Sequence, residues 1–393
     1  MSKNTRDSDR ATAATSIRIR LIAACAIISL SLWVAEGTFF GPDAVGRGYK
    51  ALIWGFALFS IFWLVIGSQS FAKRFVGSAS PVALAYVRIL CASVLLANTL
   101  WEDLASIALL PAAAAQPMGV LEYLHRLPGA AAFVRNPECL LTLEWSTALF
   151  LLLGILGLRT RVVLPLACFG YLLLAGLLRE YSWFYHTGLV PLWVLFVLCF
   201  TPCGDALSLD ARARRRRGDP TPAPSEVYAW SRYACWAVLA AAYLNAGLSK
   251  LLIGGVEWVT TPLNLKSKIV GDSMRVMQFD WGIGPLLIDM PDAFFMLLAG
   301  GTILAEVGYP LVIFSRRARI VLPILMAGMH IGILFMQNVF FFDLILMQFV
   351  FLSDGVVTRG LRKIGIEVPK STEPAGYEAR CSTGARSLPS LAR

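Results

Sequence analysis

The stretch CWAVLAAAYLNAGLSKLLIGGVEW, residues 235–258, decides the fold class because a long apolar run in it carries a few widely spaced polar side chains. Together with the residues just before it, this run reaches the ~20 residues that a helix needs to cross a bilayer. Such a helix would carry Tyr243, Asn245, Ser249 and Lys250. An ionisable group at membrane depth costs about 2.5–3.5 kcal/mol, so Lys250 is a functional candidate.

The composition of the whole chain is that of a polytopic membrane protein. Of its 393 residues, 57% are hydrophobic and only 15% are charged, whereas soluble domains carry about 25% charged residues. Cytoplasmic loops of membrane proteins collect Lys and Arg, so the net charge of +10 is interpreted as loop charge. The lipid bilayer is therefore the expected partner, and we predict no nucleic-acid partner.

Successive apolar runs predict an all-α integral membrane protein, a polytopic helical bundle of about ten transmembrane spans. The ten candidate spans are 21–36, 50–67, 82–101, 142–158, 162–178, 186–202, 229–250, 293–314, 320–336 and 339–354. Every second connection is basic, as in ARARRRR at 211–217. The positive-inside rule then predicts that both termini are cytoplasmic.

The same pattern divides the chain into three parts. Residues 1–80 form an N-terminal two-span extension, and residues 81–355 form the transmembrane core. Residues 356–393 form a basic cytoplasmic tail in which Ser, Thr, Gly, Pro and Arg are scattered, a composition that predicts disorder.

Lys250 has two interpretations. A lysine at a helix end can snorkel to the interface and act as an anchor. Tyr243, Gly247 and Lys250, however, are spaced i, i+4, i+7 and share one helix face. Gly247 removes bulk beside the lysine and leaves room for another helix or a flat ligand. A lysine desolvated in this way can serve as a general base.

The other ionisable candidates at membrane depth also allow a structural interpretation. His186 opens a span beside several aromatic residues and fits an interfacial belt. Glu306 needs a partner, for which Arg88 is the structural candidate. His330 lies between two packing glycines and fits a hydrogen-bonded histidine. Asp343, near an outer helix end, is expected to be solvated or capping.

A metal centre is not predicted. The eight cysteines show no disulfide framework, and Cys199 and Cys203, one helical turn apart, have no further Cys or His close in sequence. A site built from His186, His330 and Glu306 is conceivable. The sequence does not show whether these three residues converge.

Several segments in order point to a known family. YLNAGLSKLLIGGVEW resembles the tyrosine, glycine, lysine–leucine and acidic–tryptophan signature of the HTTM (horizontally transferred transmembrane) domain, a family that includes the vitamin K-dependent gamma-carboxylases. LAYVRILCASVLL, SWFYHTGLVPLWVLFVLCFTPCGDALSLDA, LAEVGYPLVIF and MHIGILF resemble its arginine, tryptophan–histidine, glutamate–glycine–proline and histidine helices. The resemblance covers about residues 81–355.

The resemblance implies roles for individual residues. Lys250 matches the lysine taken as the base that deprotonates reduced vitamin K, so a reduced quinone is the implied cofactor. His186 matches the histidine of a tryptophan–asparagine–histidine stretch, although Tyr185 stands where the carboxylases have asparagine. The expected substrate-binding residues are Tyr243, His186, Trp258, Glu306 and His330. The large lumenal domain that recruits the carboxylases' protein substrates has no counterpart here.

Two functions stay open at this point. One is a gamma-carboxylase-like enzyme that uses Lys250 on a hydroquinone at the non-cytoplasmic face. The other is a non-enzymatic accessory factor for the maturation, export or immunity of a secreted peptide, because short bacterial relatives include the SdpB-like proteins. That group implies the inner membrane of a bacterium. A transporter is disfavoured because no inverted repeat is visible.

Overall fold

A computed structural model describes residues 71–117, 120–182, 187–274, 279–366 and 368 of the chain. Within these residues the regular structure is helical, and their only β-type pairing is one isolated bridge between Ala79 and Ser225. The predicted all-α fold is therefore confirmed for this part of the chain. The predicted spans 21–36 and 50–67, like the end of the predicted tail, lie outside the described residues.

The helices are numbered in chain order. They are α1 (Pro81–Trp101), α2 (Val120–His125), α3 (Ala130–Val134), α4 (Pro137–Leu156), α5 (Thr160–Tyr181), α6 (Leu189–Cys199), α7 (Leu209–Arg216), α8 (Glu226–Gly254), α9 (Glu257–Thr260), α10 (Pro262–Ser273), α11 (Ile283–Leu287), α12 (Asp292–Gly308), α13 (Leu311–Phe314), α14 (Ala318–Gln337), α15 (Phe342–Met347) and α16 (Asp354–Lys363). Short 3-10 segments cover Ala105–Leu109, Ala112–Ala114 and Gln348–Phe351, and a π-helical turn covers Ala72–Val76.

Among the described residues, five helices are long and apolar enough to cross a membrane. They lie within Pro81–Leu109, Pro137–Leu156, Thr160–Tyr181, Glu226–Leu252 and Ala318–Gln337, with 20 to 29 residues each. At 1.5 Å per residue, even 20 residues extend about 30 Å, which is the thickness of the hydrocarbon core. The helices thus have the lengths of a multi-pass membrane protein.

Three predicted spans take another form. The span predicted at 186–202 is the shorter α6, with 11 residues. The span at 293–314 is divided into α12 and α13, and Pro310, which has no N–H to donate, lies at the break. The span at 339–354 ends in a 3-10 segment, after which the chain bends by 106° into α16. The count of ten spans therefore stays a prediction.

Local caps explain where the spanning helices begin. The side chain of Asn136 accepts hydrogen bonds from the backbone N–H groups of Glu138 and Cys139, and Pro137 occupies the first turn. Helix α4 consequently starts five residues before the apolar run at 142 that predicted it. Ser80 caps α1 in the same way, with a hydrogen bond of 3.1 Å from the backbone N–H of Ala83.

The apolar helices differ in how much of their surface they bury. Of the 18 most apolar consecutive residues in each span, 67% are buried in α1, 28% in α4 and 17% in α14. Side chains such as Ile320, Ile324 and Leu325 on α14 are exposed. A continuous apolar surface of this kind is foreign to a protein in water and fits contact with lipid. Helix α1 lies at the centre, packed against α4, α6, α8 and α15.

Arg88 fastens the turn that follows α6 to the central helix. The guanidinium is fully buried and donates hydrogen bonds of 2.6 Å to the backbone carbonyls of Cys203 and Leu207. It is therefore not the partner of Glu306, and that expectation was wrong. Burial also raises the pKa of the Cys203 thiol to about 11, so this cysteine is a neutral thiol at pH 7.

Candidate functional site

Lys250 and Glu306 form a close ion pair between α8 and α12. The ammonium nitrogen of Lys250 donates to both carboxylate oxygens of Glu306, each at 2.6 Å. The Glu306 side chain is only 6% exposed and the Lys250 side chain 26%. Two charges that lie 56 residues apart in the chain are thus neutralised against each other inside an apolar bundle.

Gly247 allows the close approach of these two helices. A Cβ atom at this position would lie 2.8 Å from Val307 Cγ2, 3.0 Å from Glu306 Cβ and 3.1 Å from the Val307 backbone nitrogen. These distances are shorter than ordinary van der Waals contact. Of the two occupants that the sequence left open beside Lys250, the structure thus shows a neighbouring helix. The missing side chain at 247 brings Glu306 within reach of the lysine.

The chain turns sharply after α8 and places Trp258 next to Lys250. Helix α8 ends before Gly255, whose φ of +58° favours glycine, and the short α9 follows. The Lys250 nitrogen then lies 5.7 Å from the centroid of the Trp258 ring. At this distance the face of an indole attracts a cation. Glu306 and Trp258 therefore both favour the positively charged form of Lys250.

A second polar group surrounds Tyr243, two helical turns before Lys250 on α8. The Tyr243 hydroxyl lies 3.1 Å from Nε2 of His330, and it accepts a 2.8 Å hydrogen bond from the side-chain amide of Gln348. The hydroxyl of Tyr309 donates to the carbonyl oxygen of the same amide. All four side chains are buried. The group joins α8, α14, α12 and the 3-10 segment after α15.

The ion pair and the tyrosine group are close neighbours. Tyr243 and Lys250 share one face of α8, and Glu306 and Tyr309 lie three residues apart at the end of α12. The structure thus brings together five of the six residues that the sequence singled out. The sixth, His186, lies outside the described residues.

The sequence analysis did not identify Tyr309 and Gln348. A signal for Gln348 was present, because an amide within the apolar run ILMQFVF needs a hydrogen-bond partner in lipid. Tyr309 follows Glu306 by three residues and therefore lies near it on a helix. The sequence could not show that the side chains of Tyr309 and Gln348 meet, because these residues belong to different elements.

Asp343, Glu144 and His125 have hydrogen-bond partners elsewhere in the fold. Asp343 is 1% exposed and accepts a 2.8 Å hydrogen bond from the backbone N–H of Gly188. It is thus not solvated, as one expectation had it, but buried at the start of α6. Glu144 accepts a hydrogen bond from the backbone of Leu104. The His125 Nε2 atom lies 2.9 Å from a carboxylate oxygen of Glu180.

His186, one of the three residues of the conceivable metal site, lies outside the described residues. Within 71–117, 120–182, 187–274 and 279–366 there is no group of three His, Cys, Asp or Glu residues that could hold an ion. His330 and Glu306 instead bond to Tyr243 and Lys250.

Comparison with known proteins adds no relative. No protein-family model matches the chain, and neither does any curated protein or solved structure.

Proposed function

We propose that this chain is a multi-pass membrane enzyme of the HTTM type in which Lys250 removes a proton from a lipid-soluble substrate, a hydroquinone. The observation that carries the proposal is the two-point contact of Lys250 with Glu306 beside the tyrosine group. Tyr243, Trp258, His330 and, by resemblance, His186 would line the substrate site.

The ion pair gives Lys250 a route to its neutral form. A lysine can accept a proton only after it has lost its own, and the Glu306 carboxylate lies 2.6 Å from the ammonium. Transfer of one proton to Glu306 converts two charges into a neutral amine and a neutral acid. Burial in an apolar environment disfavours charged forms, so the surroundings lower the cost of this transfer. The free amine can then take the hydroxyl proton of a substrate.

The residues present fit a flat, oxygen-bearing ring. The partly exposed ring of Trp258 offers aromatic surface, and the buried Nδ1 atom of His330 has no hydrogen-bond partner among the described residues. A hydroquinone bound here would supply an acidic hydroxyl. Lys250 would accept that proton, Glu306 would hold the proton that Lys250 gave up, and Trp258 would stabilise the ammonium that results.

We also propose that the site opens to the non-cytoplasmic side of the membrane of a bacterial cell, in a ten-span chain with both termini in the cytoplasm. The arginine-rich α7 directly precedes α8, whose 29 residues extend about 43 Å. Lys250 lies near the far end of that helix, and Trp258 follows in α9. The positive-inside rule assigns the α7 end to the cytoplasm, which leaves Lys250 near the opposite face.

Replacement of Lys250 by arginine tests the proposal. Arginine can keep the pair with Glu306 but cannot give up its proton in a protein. We expect Lys250→Arg to express and fold like the wild type and to fail to complement a deletion strain. The matched control is Lys266→Arg, because Lys266 is also paired, at 2.7 Å with Asp292, outside this site. Full complementation by Lys250→Arg at matched expression would show that the lysine acts only as a structural cation, and would refute the proposal.

A further inference from the structure

A directed chain of hydrogen bonds leads through the bundle to His330. Its starting point is Gln348, whose side-chain nitrogen donates a 2.9 Å hydrogen bond to the backbone carbonyl of Leu344. A carbonyl only accepts, so this contact fixes which end of the Gln348 amide is the NH₂ group. The amide nitrogen therefore faces Tyr243 and the amide oxygen faces Tyr309, in agreement with their hydrogen bonds.

This orientation determines the role of the Tyr243 hydroxyl. Because that oxygen accepts from Gln348, its single proton is free to point at Nε2 of His330, 3.1 Å away. A neutral imidazole whose Nε2 accepts carries its proton on Nδ1. The opposite tautomer would leave both the Tyr243 proton and the Nδ1 lone pair without partners. The tautomer with the proton on Nδ1 leaves only one of these groups unsatisfied among the described residues, the Nδ1–H of His330.

That N–H group is buried without an acceptor. His330 is 4% exposed, and its Nδ1 atom has no hydrogen-bond partner in the part of the chain that the structure describes. The ring is held by Tyr243 on one side and by Phe341, whose ring centroid lies 5.5 Å away. Other buried donors, such as Arg88 Nε and Arg232 Nε, also lack a partner in the described part of the chain, so the His330 donor is singled out by its place beside Tyr243 in the candidate site.

We propose that Nδ1–H of His330 donates a hydrogen bond to a carbonyl or phenolate oxygen of the substrate, and that Tyr309, Gln348 and Tyr243 hold His330 in the tautomer that can do so. This inference rests on the proposed function and gives Lys250 and His330 different roles. Lys250 takes the proton, and His330 stabilises the oxygen that becomes negative, as a donor aimed at developing charge does. Because its Nε2 is already occupied, His330 is a binding residue and not a second base.

The tautomer is tested without any ligand. The chain has only three histidines, so ¹⁵N-histidine NMR of the full protein in nanodiscs is simple, and His330→Asn identifies the signal. We expect His330 to be neutral with its proton on Nδ1 at pH 7. Tyr243→Phe should shift the proton toward Nε2. Tyr228→Phe is the control, because Tyr228 is another buried tyrosine, bonded to Asp205. A wild-type His330 with its proton on Nε2, or on both nitrogens, overturns the proposal even if Tyr243→Phe does not fold.

Ligand binding is tested with two probes of similar shape. Menadione carries two carbonyl oxygens on a naphthalene-type ring, and 2-methylnaphthalene has that ring without oxygen. We expect menadione, and not 2-methylnaphthalene, to shift the Nδ1–H resonance. Its affinity should fall about tenfold in His330→Phe, the loss expected for one hydrogen bond. His330→Asn, which places an amide N–H near the same position, should keep more of the affinity. Equal menadione affinity in wild type and His330→Phe, or no binding to the wild type, overturns the proposal.

The two proposals fail separately in these experiments. Full complementation by Lys250→Arg together with menadione binding that depends on His330 would refute the role of Lys250 as a base and support the role of His330 as a donor. Loss of complementation in Lys250→Arg together with a His330 proton on Nε2 would refute the role of His330 as a donor and support the role of Lys250 as a base.

Discussion

Replacement of Lys250 by methionine should expose the energetics of the buried ion pair. The substitution keeps a long apolar side chain and leaves the Glu306 carboxylate, 6% exposed, without its cation. Removal of one partner of a buried pair typically costs about 3–5 kcal/mol. Protonation limits that cost, because a glutamate with an ordinary pKa of about 4.3 can be neutralised at pH 7 for about 3.7 kcal/mol. We therefore expect a loss of about 3–4 kcal/mol in the free energy of unfolding at pH 7.

The pH dependence of this variant has a defined sign. In the folded variant Glu306 is protonated. In the unfolded chain Glu306 has its ordinary pKa and carries no proton at pH values above it. The destabilisation should therefore shrink as the pH falls, by about 1.4 kcal/mol per pH unit between pH 7 and 5. The wild type, in which the pair is intact, should not show this dependence.

Companion variants isolate the coupling between the two charges. Glu306→Met should cost less, about 1–3 kcal/mol, because Lys250 is 26% exposed and can reach the interface. The double variant Lys250→Met/Glu306→Met should lie within about 1 kcal/mol of the wild type, since two apolar side chains replace the pair. Lys266→Met is the control, with an expected cost below about 1 kcal/mol, because its partner Asp292 is 66% exposed.

The assay is equilibrium denaturation by SDS in mixed micelles, followed by circular dichroism between pH 5 and 8. A loss below about 1 kcal/mol for Lys250→Met at pH 7, with no pH dependence, would refute the buried ion pair. So would a double variant whose loss equals the sum of the single losses, because additivity means that the two side chains do not interact.

Three further predictions concern packing, the central arginine and topology. Gly247→Ala should cost about 1–3 kcal/mol because its Cβ would meet Val307 and Glu306, whereas Gly328→Ala, with open space around it, should be neutral or stabilising in the same denaturation assay. Arg88→Met should cost about 2–4 kcal/mol, since it leaves two backbone carbonyls without their donor, and a loss below 1 kcal/mol would contradict the hydrogen bonds. In intact cells an impermeant thiol reagent should label Leu286→Cys and not Arg215→Cys, and the reverse pattern would invert the proposed topology.

The helices were predictable from the sequence wherever an apolar run had no interruption. The runs at 82–101, 162–178 and 320–336 correspond to α1, α5 and α14 within a few residues. The start of α4 was missed because its first turn is polar and begins at the Asn–Pro cap. The run at 293–314 looks continuous by hydropathy, but α12 ends at Gly308, and Tyr309 and Pro310 separate it from α13, whereas Pro165 and Pro323 lie inside α5 and α14. Composition thus identifies the spans, and backbone chemistry decides their ends.

The candidate site was predictable as a set of residues but not as a set of contacts. The cost of charge in lipid singled out Lys250 and Glu306 separately. Nothing in the sequence indicated that they pair with each other, and Arg88 was an equally reasonable partner for the glutamate. Arg88 bonds instead to backbone carbonyls, which every residue carries and which therefore leave no mark in the sequence.

The hydrogen bonds of Arg88 also have a consequence for how the protein is made. The carbonyls that satisfy this arginine belong to residues 115 and 119 positions later in the chain. At synthesis rates of about 5–20 residues per second, the guanidinium emerges roughly 6–24 s before its partners exist. If α1 enters the lipid while Cys203 and Leu207 are still missing, its arginine is accommodated without these partners at a cost of about 2.5–3.5 kcal/mol. The hydrogen bonds that satisfy Arg88 can therefore form only after the turn that follows α6 has been made.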